Sequence, residues 1–287
     1  MAKSVSIRDA VSGQPAANQP AEISYWKGFI RNHEQTWLAL LAALVFLALW
    51  ELIVDLGLVR PLFVSSPSRI IQAAGWLFAH GLWNDISISA GEFFMGLCLA
   101  VLVGIPLGTA LGWYHYLYHT LDPFISALNA TPRVALLPLI ILWLGIGIKS
   151  TVALVFLGAL FPILVNVTAG VRSIDEDLIR CARSFGANGR QVFLTIALPG
   201  SIPFIIAGLR LAVGRALVGI VVGEMVASNA GIGHMITVAG ASFQTDKVFV
   251  GILLIASCGY LLSGLLQRLE ARFDAWRGNT QVSQSSR

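Results

Sequence analysis

Charged residues are scarce in this chain. Of its 287 residues, 12% are charged and 56% are hydrophobic, whereas soluble globular domains carry about 25% charged residues. Cysteine is also scarce, and Cys98, Cys181 and Cys258 have neither metal-ligand nor redox spacing. A disulfide framework is therefore not expected. The composition predicts a protein that lies within a lipid bilayer.

Apolar runs of sufficient length recur along the sequence. A helix needs about 20 residues to cross the hydrocarbon core, and residues 93–113, 151–171 and 248–266 contain no charge. Three further runs carry isolated charges or prolines. These are residues 37–54 with Glu51, residues 121–148 with Pro132, Arg133 and Pro138, and residues 199–226 with Arg210, Arg215 and Glu224. We predict an all-α polytopic membrane protein with six transmembrane helices.

The distribution of Lys and Arg predicts the orientation. Residues 1–36, 172–190 and 268–287 carry four each, whereas the connections on the opposite face carry four in total. Positively charged loops face the cytoplasm, so both termini are predicted to be cytoplasmic. We expect a mobile cytoplasmic tail over 1–36, a transmembrane domain over 37–267 and a cytoplasmic C-terminal tail over 268–287. The formal charge of +4 forms no basic patch typical of nucleic-acid binding.

Two connections on the predicted outer side contain organised segments. Residues 67–80 show apolar residues at helical spacing, with Pro67 in the first turn and Ser66 as the cap. This predicts an amphipathic helix on the outer membrane face. Residues 227–248 are rich in glycine and join the last two spans, which predicts a re-entrant or extracytoplasmic loop.

The segment between the fourth and fifth spans is too organised for a simple linker. Ser173 and Glu176 have the spacing of a capping box, which predicts the start of a helix. Apolar residues then recur at helical spacing as far as Phe185, where Gly186 and Gly189 can take positive φ and end the helix. The pattern predicts a short helix, a sharp turn and a second helix that leads into the fifth span.

This segment resembles the cytoplasmic loop of the inner-membrane components of binding-protein-dependent ABC importers of the type I fold. Their pattern is EAA, three residues, Gly, nine residues, Ile, one residue, Leu-Pro. Residues 64–70, 131–147 and 228–236 look like the branch that includes nitrate, sulfonate and taurine permeases. The resemblance implies a coupling helix within residues 173–199 that docks on an ATPase. The positions in register here are Arg180, Cys181, Ala182, Gly186, Ile196, Leu198 and Pro199.

The resemblance also implies the partners and the activity. It implies the permease subunit of an importer in the inner (plasma) membrane, with two ABC ATPase subunits, a second permease copy or paralogue, and an extracytoplasmic solute-binding protein. The implied substrate is a small organic or inorganic anion such as a sulfonate, nitrate or taurine. The chain is expected to have no enzyme activity and no cofactor, because residues 145–150 resemble a phosphate loop but carry Ile148 where Gly is required.

Four polar residues within the spans are candidates for the translocation pathway, namely Arg133, Asn166, Arg215 and Glu224. An arginine within a span costs about 2.5–3.5 kcal/mol on insertion scales and normally faces protein or water. Structural alternatives remain for each residue. Arg133 can reach the headgroups, Asn166 can hydrogen-bond between helices, and Arg215 and Glu224 can pair with other helices.

Other classes of protein make different predictions. An ion-coupled secondary transporter would show inverted repeats and half-helices around an ion site in the middle of the membrane, and no convincing repeat is present. A membrane enzyme would need a nucleophile with a base or clustered carboxylates. The histidines at positions 115, 119 and 234 have no neighbouring ligands in sequence, so no metal site is predicted.

Overall fold

The computed structural model describes residues 22–60 and 62–274, and the secondary structure of this part is entirely helical. The chain divides into two compact units, Met1–Leu58 and Val59–Arg287. The described part of the first unit is a single long helix, α1 (Glu22–Asp55), of which Thr36–Asp55 is apolar enough to cross a membrane. Helix α1 therefore begins within the predicted N-terminal tail. Residues 1–21 and 275–287 of the predicted tails lie outside the described residues.

The second unit contains the remaining membrane helices and several shorter elements. Its elements in chain order are α2 (Pro67–Ala79), α3 (Leu82–Trp113), α4 (His115–Ala130), a 3₁₀ turn (Arg133–Leu136), α5 (Leu137–Leu144), α6 (Ile148–Arg172), α7 (Glu176–Ser184), α8 (Gly189–Val192), a π-helical turn (Phe193–Ala197), α9 (Leu198–Ala227), α10 (Ile232–Ala241) and α11 (Thr245–Asp274).

The helices agree with the predicted set of six spans. In the described ranges, Thr36–Asp55, Leu82–Trp113, Ile148–Arg172, Gly189–Ala227 and Thr245–Glu270 are each long and apolar enough to cross a membrane. A sixth span is formed if His115–Ala130 and Arg133–Leu144, which meet at 90°, count as one. The bend follows from Pro132, because a residue before proline avoids the helical region. Thr131 accordingly has φ −68° and ψ 129°.

Helices α3, α6 and α9 form the centre of the second unit, and glycines allow them to approach closely. Gly96, Gly104, Gly108 and Gly112 of α3 each face a branched residue of α6, at intervals of four or eight residues along both helices. On α9, Gly219 and Gly223 pack against α6 in the same way. The sequence pairs Gly104–Gly108 and Gly219–Gly223 therefore serve helix packing, as small-xxx-small spacing predicts.

The predicted outer elements are present with altered details. Helix α2 begins after Ser66 as predicted, but the Ser66 hydroxyl makes no cap and instead shares a hydrogen bond of 3.1 Å with the Ser68 hydroxyl. The glycine-rich segment after α9 contains α10, which packs against α9, α11 and α3. Ser65 and Thr245 tie the ends of this region together, since Ser65 Oγ donates to Asp246 Oδ1 at 2.7 Å and Thr245 Oγ1 donates to the Leu62 carbonyl at 2.5 Å.

Candidate functional site

The predicted short helix between the fourth and fifth spans is α7, but a different residue caps it. Asp175 is the N-cap, and its Oδ1 accepts a hydrogen bond from the Asp177 amide at 2.8 Å. Ser173 instead ends α6, and its hydroxyl donates to the Gly170 carbonyl at 2.9 Å. The predicted capping box of Ser173 and Glu176 is therefore wrong. The α6 helix runs further than the spacing suggested, so the free amides of α7 begin two residues later.

The sharp turn after α7 forms at Gly186. Its φ is +83°, in the region that favours glycine, and its N–H donates to the Arg183 carbonyl at 2.9 Å. Gly189 does not end the helix as predicted, because it opens α8. Asn188 caps α8 through a capping box with Gln191, with hydrogen bonds of 2.9 and 2.8 Å. The turn is therefore defined on both sides by backbone and side-chain hydrogen bonds.

Helix α7 carries no buried residue. Leu178 is 56% exposed and Phe185, directly after α7, is 88% exposed. Arg180 is paired with Glu176 at 2.8 Å and lies 3.7 Å from Asp177. Its acidic partners therefore belong to the same helix. Exposed pairs of this kind contribute little stability. The helix therefore presents its side chains outward and is held mainly through its two ends.

The remaining residues of the predicted coupling pattern lie where the segment enters the membrane helix. Ile196 is half-buried in the π-helical turn, and Leu198 and Pro199 open α9. Cys181 is exposed and Ala182 is half-buried on α7. The seven residues therefore divide between a projecting helix and the root of α9, joined by the Gly186 turn and α8.

Two arginines far apart in sequence line the same cavity of about 330 Å³. Arg133 lies at the bend between α4 and α5, where its Nη2 donates to Asn129 Oδ1 at 2.9 Å and its guanidinium lies 5.5 Å from the centre of the Phe161 ring. Arg215 lies on α9 and is exposed. Both residues were predicted as candidates from the sequence, but their common cavity was not.

Asn166 does not make the predicted hydrogen bond between helices. Its Nδ2 donates to the Pro162 carbonyl of its own helix at 2.8 Å. Its Cβ instead faces Gly208 of α9, where an added methyl would lie 2.9 Å away. A role for Asn166 in the pathway stays a prediction.

Glu224 is buried and holds the start of α10. Its Oε2 accepts a hydrogen bond from the Gly233 amide at 2.6 Å. Asp85 Oδ1 accepts from the Gly231 amide at 3.1 Å, and the Ser89 hydroxyl accepts from the Ile232 amide at 2.9 Å. Three consecutive amides at a helix start are thus satisfied by side chains, as free N-terminal amides require. A pathway role for Glu224 stays a prediction.

Sequence reasoning missed the acidic and hydroxyl residues of α3 that join Glu224. Glu92 is 2% exposed, and its carboxyl group interacts electrostatically with that of Glu224. The available signal was the spacing of Asp85, Ser89 and Glu92, which lie at intervals of three or four residues on one helical face. In the ranges that the structure describes, no group of three or more metal-type side chains is arranged to bind a metal.

Replacing Glu224 by alanine is expected to lower the free energy of unfolding by about 1–3 kcal/mol, because the buried Gly233 N–H loses its acceptor. Glu224→Gln is the matched control, since the amide oxygen can still accept that hydrogen bond. Thermal unfolding of the purified protein compares the two variants. An alanine variant with the melting temperature of the wild type would show that this contact does not hold α10.

Helices that are long and apolar enough to cross a membrane, with polar side chains between them, define an integral membrane protein. The family described as binding-protein-dependent transport system inner membrane component matches residues 100–275. This chain belongs to that family. It is a permease subunit of ABC transporters, and such subunits are not themselves enzymes.

Relatives at moderate identity cover most of the chain. It is 35% identical over 244 residues to the taurine transport system permease protein TauC of Escherichia coli strain K12, which covers 83% of this chain and 88% of that protein. A protein named SsuC in Bacillus subtilis strain 168, assigned by its name to aliphatic sulfonates transport, is 34% identical over 241 residues, 84% of this chain and 87% of that protein.

Solved structures share the fold at lower identity. The inward-facing MetNI methionine ABC transporter aligns with a TM-score of 0.59 and 20% identity over 69% of this chain and 96% of its own. The crystal structure of an amino acid ABC transporter with histidines aligns with a TM-score of 0.54 and 15% identity, over 69% and 94%. These similarities confirm the predicted all-α permease fold.

Proposed function

We propose that this permease forms the pathway of an ATP-driven importer for a small organic or inorganic anion such as a sulfonate, nitrate or taurine, and that α7 is its coupling helix. The names of the relatives at 34–35% identity support the sulfonate class. The two guanidinium groups that line one cavity support an anion over a cation.

The observation that carries the coupling role is the exposed apolar surface of α7. Leu178 lies on α7 and Phe185 follows its last residue, and both side chains are exposed. Their exposure costs free energy in water unless a partner covers them. The Gly186 turn and α8 connect α7 to the first turn of α9. A displacement of α7 would therefore be transmitted to a membrane helix.

The proposed assembly contains two ABC ATPase subunits, a second permease copy or paralogue, and an extracytoplasmic solute-binding protein. Both termini and α7 would face the cytoplasm. The exposed face of α9 supports a second permease, because Leu211, Arg215 and Val218 lie at helical spacing and all three are exposed. An arginine at this depth is expensive toward lipid, so this face requires protein or water.

Arg133, Asn166, Arg215 and Glu224 remain the proposed pathway residues. Arg133 and Arg215 would contact the solute. Asn166 and Glu224 would act through helix packing and through the position of α10, because their observed hydrogen bonds are internal. In this mechanism, closure of the ATPase dimer moves α7 and shifts the permease between inward and outward states.

The test of the coupling role is co-purification with the ATPase. Phe185→Ala is expected to reduce the ATPase recovered with the tagged permease at least about tenfold, because a buried aromatic anchor commonly contributes 2 kcal/mol or more to an interface. The readout is the ratio of ATPase to permease after affinity purification and size-exclusion chromatography.

Tyr116→Ala is the matched control, because Tyr116 is also 88% exposed but lies on α4. It is expected to leave the ratio unchanged. An equal loss in both variants would indicate general damage to the protein. Full recovery of the ATPase with Phe185→Ala would remove α7 as the docking element.

A further inference from the structure

We infer that the permease itself holds an anion-binding site, formed by Arg133 and Arg215 around the cavity of about 330 Å³. The inference rests on the proposed function and deepens it, because it gives the transported class of ligand a binding site within the membrane subunit. A small sulfonate or nitrate, with acceptor oxygens and a negative charge, is the ligand that this site would take.

The charges of this site are not neutralised by the protein. Within the described part of the chain, Arg210 forms an ion pair with Glu270 at 2.8 Å, whereas neither Arg133 nor Arg215 has a carboxylate within ion-pair distance. Because the two guanidinium groups line the same cavity, their like charges repel each other. The same helix therefore carries one arginine that is paired for structure and another that is left without a counter-charge.

A donor of Arg133 also lacks a hydrogen-bond partner in the part of the chain that is described. Its Nη2 donates to Asn129, but its buried Nε has no hydrogen-bond partner among the described residues. A buried donor without a partner costs free energy unless a ligand or water accepts from it. Because a guanidinium presents its donors as a planar fork, a sulfonate or nitrate can accept two of them at once.

Glycines leave room for a ligand between the helices. Gly158 brings α6 against the Arg215 backbone, since a methyl there would lie 3.0 Å from the Arg215 carbonyl oxygen. Gly214 also lines the cavity, but a methyl on it would have no atom within 4 Å. The space beside Gly214 is therefore open rather than required for helix packing.

The depth of Arg215 fits a position within the translocation pathway. At about 1.5 Å per residue, Arg215 lies roughly 18 Å from the end of α9 at Ala227, near the middle of a hydrocarbon core of about 30 Å. An anion that enters from either face of the membrane would meet the two positive charges there. The site would hold the anion between its release from the binding protein and its exit.

The test measures anion binding to the purified permease–ATPase complex by thermal unfolding. Sodium ethanesulfonate replaces sodium chloride at constant ionic strength, and the melting temperature is followed against its concentration. The wild type is expected to gain stability, since a ligand that binds the native state stabilises it. The double variant Arg133→Gln, Arg215→Gln is expected to lose this response, with an apparent affinity at least about tenfold weaker.

Gly214→Leu tests the site without removing a charge. Leucine at this position is expected to fill the cavity and abolish the response while the protein folds, because its Cβ meets no neighbouring atom. Gly91→Leu controls for the added side chain, since Gly91 is exposed on α3 with no atom within 4 Å of an added methyl. Lys149→Gln controls for the lost charge, since Lys149 is exposed and lies outside the cavity.

The outcomes separate this inference from the proposed function. A wild type without a response to ethanesulfonate, or a response retained in both the double arginine variant and Gly214→Leu, overturns the site. ATPase recovery and ATP hydrolysis stimulated by the binding protein are measured on the same preparations. If these fail in the wild type, the proposed importer function fails, whatever the anion response.

Discussion

Replacing Gly186 by proline is expected to abolish ATP-dependent uptake while the protein still inserts into the membrane. Gly186 has a φ of +83° and donates its N–H to Arg183, whereas proline holds φ near −65° and has no N–H to donate. The turn would have to open, which re-aims α7 relative to α9. Because α7 buries no residue, the transmembrane helices lose no packing contact.

Uptake of labelled taurine into proteoliposomes measures this effect, with the permease–ATPase complex in the membrane, ATP inside and the binding protein outside. Gly189→Pro is the matched control only three residues away. Gly189 is the first residue of α8, where proline is tolerated, and the preceding Asn188 already has an extended ψ of 166°. Uptake by Gly186→Pro at the wild-type rate would contradict the role of α7 as the coupling helix.

Replacing Gly108 by leucine is expected to lower the free energy of unfolding by about 3 kcal/mol or more. A methyl at Gly108 would lie 2.9 Å from the Val167 Cβ and 3.0 Å from the Leu164 carbonyl oxygen. Overpacking of a core costs about 1–3 kcal/mol when side chains can give way. Here backbone must move, and the contacts of Gly104 and Gly112 with the same helix would be displaced with it.

Thermal unfolding and the yield of monodisperse protein in detergent measure this loss. Gly91→Leu on the same helix is expected to be neutral or slightly stabilising, because the position is exposed and leucine favours helix over glycine by about 0.5–1 kcal/mol. Equal losses at both positions would show that leucine is harmful anywhere on α3. A Gly108→Leu protein as stable as the wild type would show that α3 and α6 do not need their close approach.

The sequence predicted the spans and the short helix after α6 because both depend on local signals. Long apolar runs identify membrane helices, and the register from Gly186 to Pro199 indicated the family that the family comparison confirms. The error at Ser173 has a local cause as well. Capping-box spacing does not say how far the preceding helix extends, and α6 continued through Arg172 before Asp175 could cap α7.

Contacts between distant segments were beyond sequence reasoning. Asp85 and Ser89 bind amides that lie more than 140 positions away along the chain. No periodicity in either segment predicts that the two segments are in contact. The same holds for Asn166, whose amide could bond within its helix or across to another. In the structure, the Asn166 Cβ packs against Gly208 of α9, and the side-chain amide bonds within its own helix.

Composition, apolar run length and turn chemistry by themselves determined the set of membrane-spanning helices and the short projecting helix, because hydrophobic burial in lipid and turn chemistry act over a few neighbouring residues. The resemblance of the loop to a known family indicated the permease. Only the tertiary structure decided which polar residues share a site. The close packing of α3, α6 and α9 placed Glu224 under α10 and placed Arg133 beside Arg215, since those distances depend on how helices far apart in sequence pack together.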